Sequence, residues 1–174
     1  SLDFTPTREA AFARFGVEAD RARAAYDPDG RLEMKALNQA VGGDRNMVEP
    51  ARFVARSMAA KGAKVVVVDL QDDKGEAVAK AIGGVYAKDD VTNTEQVIAA
   101  VEAAKELGPL RSLVTAAGIG WATRTVGRDG QYESAHDLDV YRKVREVNLV
   151  GTFNSIRLAA TAMSQTEALA DNEH

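Results

Sequence analysis

Three clusters at the ends of apolar runs have the residue types needed to hold a ligand. The first is Asp69, which closes the run Lys64-Val-Val-Val-Val-Asp69 and is followed by Leu70. A carboxylate at the carboxyl end of a buried strand can accept hydrogen bonds from both hydroxyls of an adenosine ribose, which favours NAD over NADP. The same residue can also cap a helix or face solvent. The second cluster is Asp90-Val91-Thr92. Here the aspartate can accept from an adenine amino group while the valine packs beside the base. Asp90, Thr92 or Thr94 can equally cap the helix that follows. The third is Thr115-Ala116-Ala117-Gly118, whose small side chains let a cofactor approach the backbone, although a plain tight loop explains the same letters.

Other chemistries are excluded or weakly supported. The chain of 174 residues has no cysteine, so it holds no disulfide, thiolate zinc site or cysteine nucleophile. Its two histidines, His136 and His174, offer little for metal ligation, and His136 lies in a polar loop after Tyr132 and Glu133. Trp121 either lines a pocket or packs near the small-residue turn. A net charge of −4 without a Lys/Arg cluster argues against nucleic acid. The apolar run Val65–Val68 is far shorter than the ~20 residues of a membrane span. The start Ser-Leu-Asp-Phe has no basic stretch leading into an apolar one, so a soluble, cytoplasmic protein is expected.

The elements that must position these residues can be read from periodicity. Spacings of three and four among Ala10, Ala11, Phe12, Phe15, Ala19, Ala22 and Tyr26 predict a helix over 7–26. Asp27-Pro28-Asp29-Gly30 is a turn signal. Residues 1–30 are expected as a helical extension, either a docking arm or a small cap, and 31–174 as one ligand-binding domain. From about residue 50 helices and strands alternate. A helix is predicted over 51–61, opened by Pro50 and closed by Gly62. The β-branched run at 64–69 lacks polar alternation and reads as a strand buried on both faces of a parallel sheet. Helix 74–82, strand 85–88, helix 94–107, strand 113–115 and one long amphipathic helix over 137–163 follow. This order predicts a doubly wound α/β sheet.

Taken in order, the segments VVVVDL, DDVTN, LVTAAG and EVNLVGTFNSIRLAA resemble the short-chain dehydrogenase/reductase family. The likeness is greatest to its type II 3-hydroxyacyl-CoA dehydrogenase branch, and covers about residues 51–166. The resemblance implies an incomplete Rossmann-type sheet with a helical N-terminal extension. It implies NAD as cofactor, held by Asp69, Leu70, Asp90 and Val91 on the adenine side and by the turn of Ala116, Ala117 and Gly118. Asn148 matches the family's asparagine in the long helix, which helps hold a water of the proton relay. The family's glycine loop, which cradles the pyrophosphate, corresponds to 40–50 here. Gly42 and Gly43 stand in that stretch, with Glu49 and Ala51 where later glycines would fall. Lys35–Val41, ahead of it, makes a weak strand. The family's Asn-Ala-Gly turn carries Thr115 in place of the amide.

The resemblance therefore implies oxidation or reduction of a secondary alcohol or ketone, with 3-hydroxyacyl-CoA a candidate substrate, in a homo-oligomer. The family's catalytic serine, tyrosine and lysine have no counterpart in these residues, so the fragment is expected to be inactive. Tyr141 and Arg145 are a poor substitute, because arginine does not replace lysine in proton chemistry. The alternative is a catalytically silent α/β module that binds a protein through Val147, Val150, Ile156 and Leu158 of the long helix.

Overall fold

The computed structural model describes residues 7–13, 15–43, 49–121 and 123–168. The chain forms two compact units, Ser1–Pro50 and Ala51–His174.

In the first unit the helix expected over 7–26 is broken. Helix α1 (Arg8–Ala13) is followed by a 3₁₀ turn at Gly16–Glu18 and then by α2 (Ala19–Tyr26). Gly16 takes a left-handed φ of 54°, open to a residue without Cβ, and the helical run cannot pass through it. Helix α3 (Met34–Gly43) occupies the stretch expected as a weak strand and the start of a glycine loop. Leu37 and Val41, one turn apart, are buried with Ala11, Phe12 and Ala22, and this apolar face makes the segment helical. The first unit consequently extends past residue 30, because α3 supplies part of its core.

A buried ion pair closes this unit. The Asp27 side chain takes the Arg8 Nε on one oxygen at 2.6 Å and the Leu32 backbone N–H on the other at 2.9 Å. Arg8 also donates to the Leu32 carbonyl. The N–H of Leu32 and the Arg8 guanidinium hold the Asp27 carboxyl below its usual range.

In the second unit α4 (Glu49–Ala60) leads to β1 (Val66–Asp69), α5 (Asp72–Ile82), β2 (Val85–Lys88) and α6 (Thr94–Leu107). The strands pair in parallel, Val66 beside Val85 through Asp69 beside Lys88, with α5 as the crossover. Helices α5 and α6 each contact both strands. Strand β1 is only half-buried, with Val68 exposed. The strand predicted at 113–115 is not formed. Leu113 and Val114 are exposed, and among the described residues no strand pairs with them.

The long helix of 137–163 is present in three parts. Asp137 caps α7 (Leu138–Arg145) by accepting from the N–H groups of Asp139 and Val140. A π-helical segment over Glu146–Gly151 follows, and α8 (Thr152–Met163) continues from it. Among the described residues no helix is long and apolar enough to cross a membrane.

Candidate nucleotide site

The parallel pairing of β1 and β2 places Asp69 beside Lys88, and Asp90 two residues beyond the end of β2. Asp69 Oδ1 accepts from the Gln71 N–H at 2.9 Å. Its other oxygen has no hydrogen bond among the described residues, so an acceptor remains for an incoming hydroxyl. Leu70, next in the chain, is exposed.

Asp90 Oδ1 accepts twice from Thr92, from its hydroxyl at 2.7 Å and its N–H at 3.0 Å. These two bonds keep the carboxyl below its ordinary pKa, so it remains an acceptor at neutral pH. The helix cap is provided by a different residue. Asn93 accepts from the Gln96 N–H at 3.0 Å, while Gln96 Oε1 reaches back to the Asp90 N–H at 2.7 Å. Asp90 therefore does not serve as the cap, and its second oxygen has no hydrogen bond among the described residues.

Val91 is held by the long helix. A Cβ on Gly151 would lie 2.5 Å from Val91 Cγ2, so only glycine allows the helix to approach this closely. One turn on, the buried Asn154 donates from Nδ2 to the Val91 carbonyl at 2.9 Å. Its Oδ1 accepts from Arg157, and the Arg157 guanidinium also reaches the Thr94 hydroxyl at 3.2 Å. Sequence reasoning missed Asn154 and Arg157. A polar residue between the apolar positions Phe153 and Ile156 is the signal that could have found Asn154.

Asn148 lies in the π segment and makes a reciprocal pair with the residue that follows the small-residue turn. Its Oδ1 accepts from the Ile119 N–H at 2.8 Å, and its Nδ2 donates to the Ile119 carbonyl at 2.9 Å. This clamp ties the backbone after Ala116, Ala117 and Gly118 to the helix. Both alanines are exposed and Gly118 is half-buried, so no large side chain of their own covers this turn. Thr152 donates its hydroxyl to the Asn148 carbonyl at 2.8 Å. The helix thus holds the Val91 loop and the 116–119 turn together.

Gly42 and Gly43 belong to the first unit. They are the last two residues of α3 and are helical residues rather than members of a loop after a strand. Residues 44–48 of the expected glycine stretch lie outside the described residues. His136 is half-buried and meets the Tyr141 ring edge-on at 6.4 Å. The Arg145 guanidinium stands over the same ring, 5.9 Å from its centre, a stacking contact between exposed side chains. Trp121 is exposed. Among the described residues no group of three or more acidic or histidine side chains is placed to hold a metal ion.

Known proteins are similar to this chain in sequence and fold. Residues 51–168 match the family model for short chain dehydrogenase. The chain is 40% identical over 117 residues to the human 3-hydroxyacyl-CoA dehydrogenase type-2, covering 65% of this chain and 44% of that one. The Rattus norvegicus protein of the same name is 38% identical over 116 residues, again 65% of this chain and 44% of the relative. The crystal structure of 3-hydroxyacyl-CoA dehydrogenase type-2 from Mycobacterium avium superposes with a TM-score of 0.64 at 34% identity, covering 74% of this chain and 50% of that one. The chain spans about half the length of these relatives. The two parallel strands and their helices are an incomplete Rossmann-type α/β fold, and the chain belongs to the short-chain dehydrogenase family.

Proposed function

We propose that this chain carries the adenosine-binding part of an NAD-dependent dehydrogenase. Its reaction interconverts a secondary alcohol and a ketone, with 3-hydroxyacyl-CoA as the favoured substrate. The observation that carries this reading is the free carboxylate oxygen of Asp69 at the carboxyl end of β1, beside the ionised Asp90 at the end of β2. These residues fit the adenosine half of NAD. Asp69 would accept from the ribose hydroxyls, Asp90 from the adenine amino group, and Leu70 and Val91 would flank the base. Ala116, Ala117 and Gly118 would leave room beside the cofactor, with Asn148 fixing that turn. When bound, NAD supplies the hydride acceptor. The substrate class is drawn from the relatives with that name.

A cytoplasmic homo-oligomer is part of the proposal. The exposed Leu149, Val150, Phe153 and Ile156 on the long helix offer it an apolar face. That same face supports the second reading, a silent module that docks a protein partner. The two readings differ in whether nucleotide binds.

Titration calorimetry of the purified chain tests the first reading. NAD is expected to bind more tightly than NADP, and Asp69→Ala to weaken NAD by ~1–3 kcal/mol, the scale of lost charge-assisted hydrogen bonds. Equal affinity for the two dinucleotides would sink the assignment. The 174 residues alone are expected to turn over no hydroxyacyl-CoA, since the serine, tyrosine and lysine that give the family its general acid–base help, worth ~10²–10⁴-fold, have no counterpart among them.

A further inference from the structure

Lys88 is the cation that stands in register with Asp69, and its ammonium is taken by Asp72. The distance from Lys88 Nζ to Asp72 Oδ2 is 2.7 Å. The other oxygen of Asp72 accepts from the Tyr86 hydroxyl at 2.8 Å, and that hydroxyl also lies 3.0 Å from the Asp69 carbonyl. Tyr86 is fixed in turn by Gly75 of α5. A Cβ there would stand 2.2 Å from the ring and 3.2 Å from Asp69 Cβ, so ring, Asp69 and α5 meet at one point. Asp69, Tyr86 and Lys88 therefore share the α5 side of the sheet. Burial and the Asp72 carboxylate push the Tyr86 hydroxyl up to about 12, which keeps it a donor. Lys88 holds the Asp72 carboxyl below its usual range, so Asp72 is charged at neutral pH.

We propose that Asp72 is a second residue selecting against a 2′-phosphate, acting by holding Lys88 and by adding its own charge beside Asp69. This rests on the ribose-site reading of Asp69 and extends it. A 2′-phosphate would occupy the space beside the Asp69 carboxylate, and Lys88, in register with Asp69, is a side chain able to neutralise it. With Asp72 in place the ammonium is already engaged and the rim carries a second negative charge. Without Asp72 the lysine is free on a flexible stem to meet a phosphate as a point charge. An uncharged Asp72 replacement should thus change the choice of nucleotide more than the affinity for adenosine itself.

The test uses the full chain with 5′-AMP and 2′,5′-ADP as probes, measured by titration calorimetry at low salt. Asp72→Asn is expected to shift the affinity ratio toward 2′,5′-ADP by about tenfold, the scale of one lost repulsion and one gained attraction at a solvated surface. Adding Lys88→Met should cancel the part of that gain that comes from the freed ammonium, whereas Lys88→Met alone, which leaves the Asp72 charge unpaired, should shift the ratio further toward 5′-AMP. Asp72→Glu should keep the wild-type preference. If Asp72→Asn leaves the ratio unchanged while Asp69→Asn weakens 5′-AMP, the role of Asp72 is overturned and the ribose site stands. If 5′-AMP fails to bind, or binds without regard to Asp69, the ribose-site reading falls and this inference with it.

Discussion

The two units each bury an aspartate, and they treat it in opposite ways. Asp27 in the first unit is 2% exposed, and Asp89 in the second is 5% exposed. Both oxygens of Asp27 are occupied, by Arg8 and by the Leu32 N–H, and its pKa is lowered. Asp89 Oδ1 has no partner among the described residues, and burial, with the neighbouring Asp90 charge, pushes its carboxyl up to about 6. Equal burial therefore gives opposite shifts, and the sign is set by what the side chain meets after it leaves water. In the first unit the carboxylate stabilises the fold. In the second its ionisation opposes it.

This contrast can be broken most strongly at Asp27. Asp27→Ala leaves Arg8 without its carboxylate and the Leu32 N–H without an acceptor. It is expected to lower the melting temperature more than loss of Asn154. Hydrogen exchange should accelerate first in α1, α2 and α3. Unchanged exchange there would mean that the pair contributes nothing to the first unit.

Asn154→Ala comes next. It removes the buried donor to the Val91 carbonyl and is expected to cost about 1–2 kcal/mol, the scale of a buried hydrogen bond left half-made. Amide exchange in the 89–93 loop should rise with it. The smallest effect is expected at Asp89, and with the opposite sign. Asp89→Ala should stabilise the chain by about 1 kcal/mol at pH 8, by deleting a buried acceptor that has no donor among the described residues.

The pH dependence sharpens the comparison. A folded-state pKa raised from 3.8 to about 6 means that the Asp89 contribution is fully present below pH 3.8 and is lost as pH rises through 6. A lowered pKa at Asp27 gives a contribution present above 3.8 and lost as pH falls through the folded value. Exchange rates at fixed temperature, after correction for intrinsic chemistry, should show the first unit loosening in acid. The second should loosen between about pH 4 and 7, the interval spanned by the Asp89 shift. Parallel profiles for the two units would contradict this. Asp89→Ala should flatten the second profile alone.

Much of the second unit is legible in the sequence because its signals are local. Strand 85–88 and helix 94–107 lie where their residues put them, since Asn93 caps the helix with its own side chain and Gly108 follows its end. Segment 113–115 has the right letters for a strand, but a strand exists only through a hydrogen-bonded neighbour, which the residues themselves do not encode. Lys35–Val41 misleads for a related reason. Its helical face is visible only once Leu37 and Val41 have Phe12 to bury against. Asp69 and Asp90 can be placed at strand ends from the sequence, but their free oxygens cannot. The partners of Asn148 and Asn154 lie 29 and 63 residues away, beyond any local pattern.

The π segment at Glu146–Gly151 has a consequence for insertion and deletion. Each residue of an α-helix advances the facing direction by about 100°, so widening one turn changes the phase between everything before it and everything after. Asn148 within the segment reaches Ile119, and Asn154 beyond it reaches Val91. A single residue removed from 146–151 would let the helix run regular, and would rotate α8 away from one loop or α7 away from the other. Substitutions along this helix should therefore be tolerated far better than a change of its length by one.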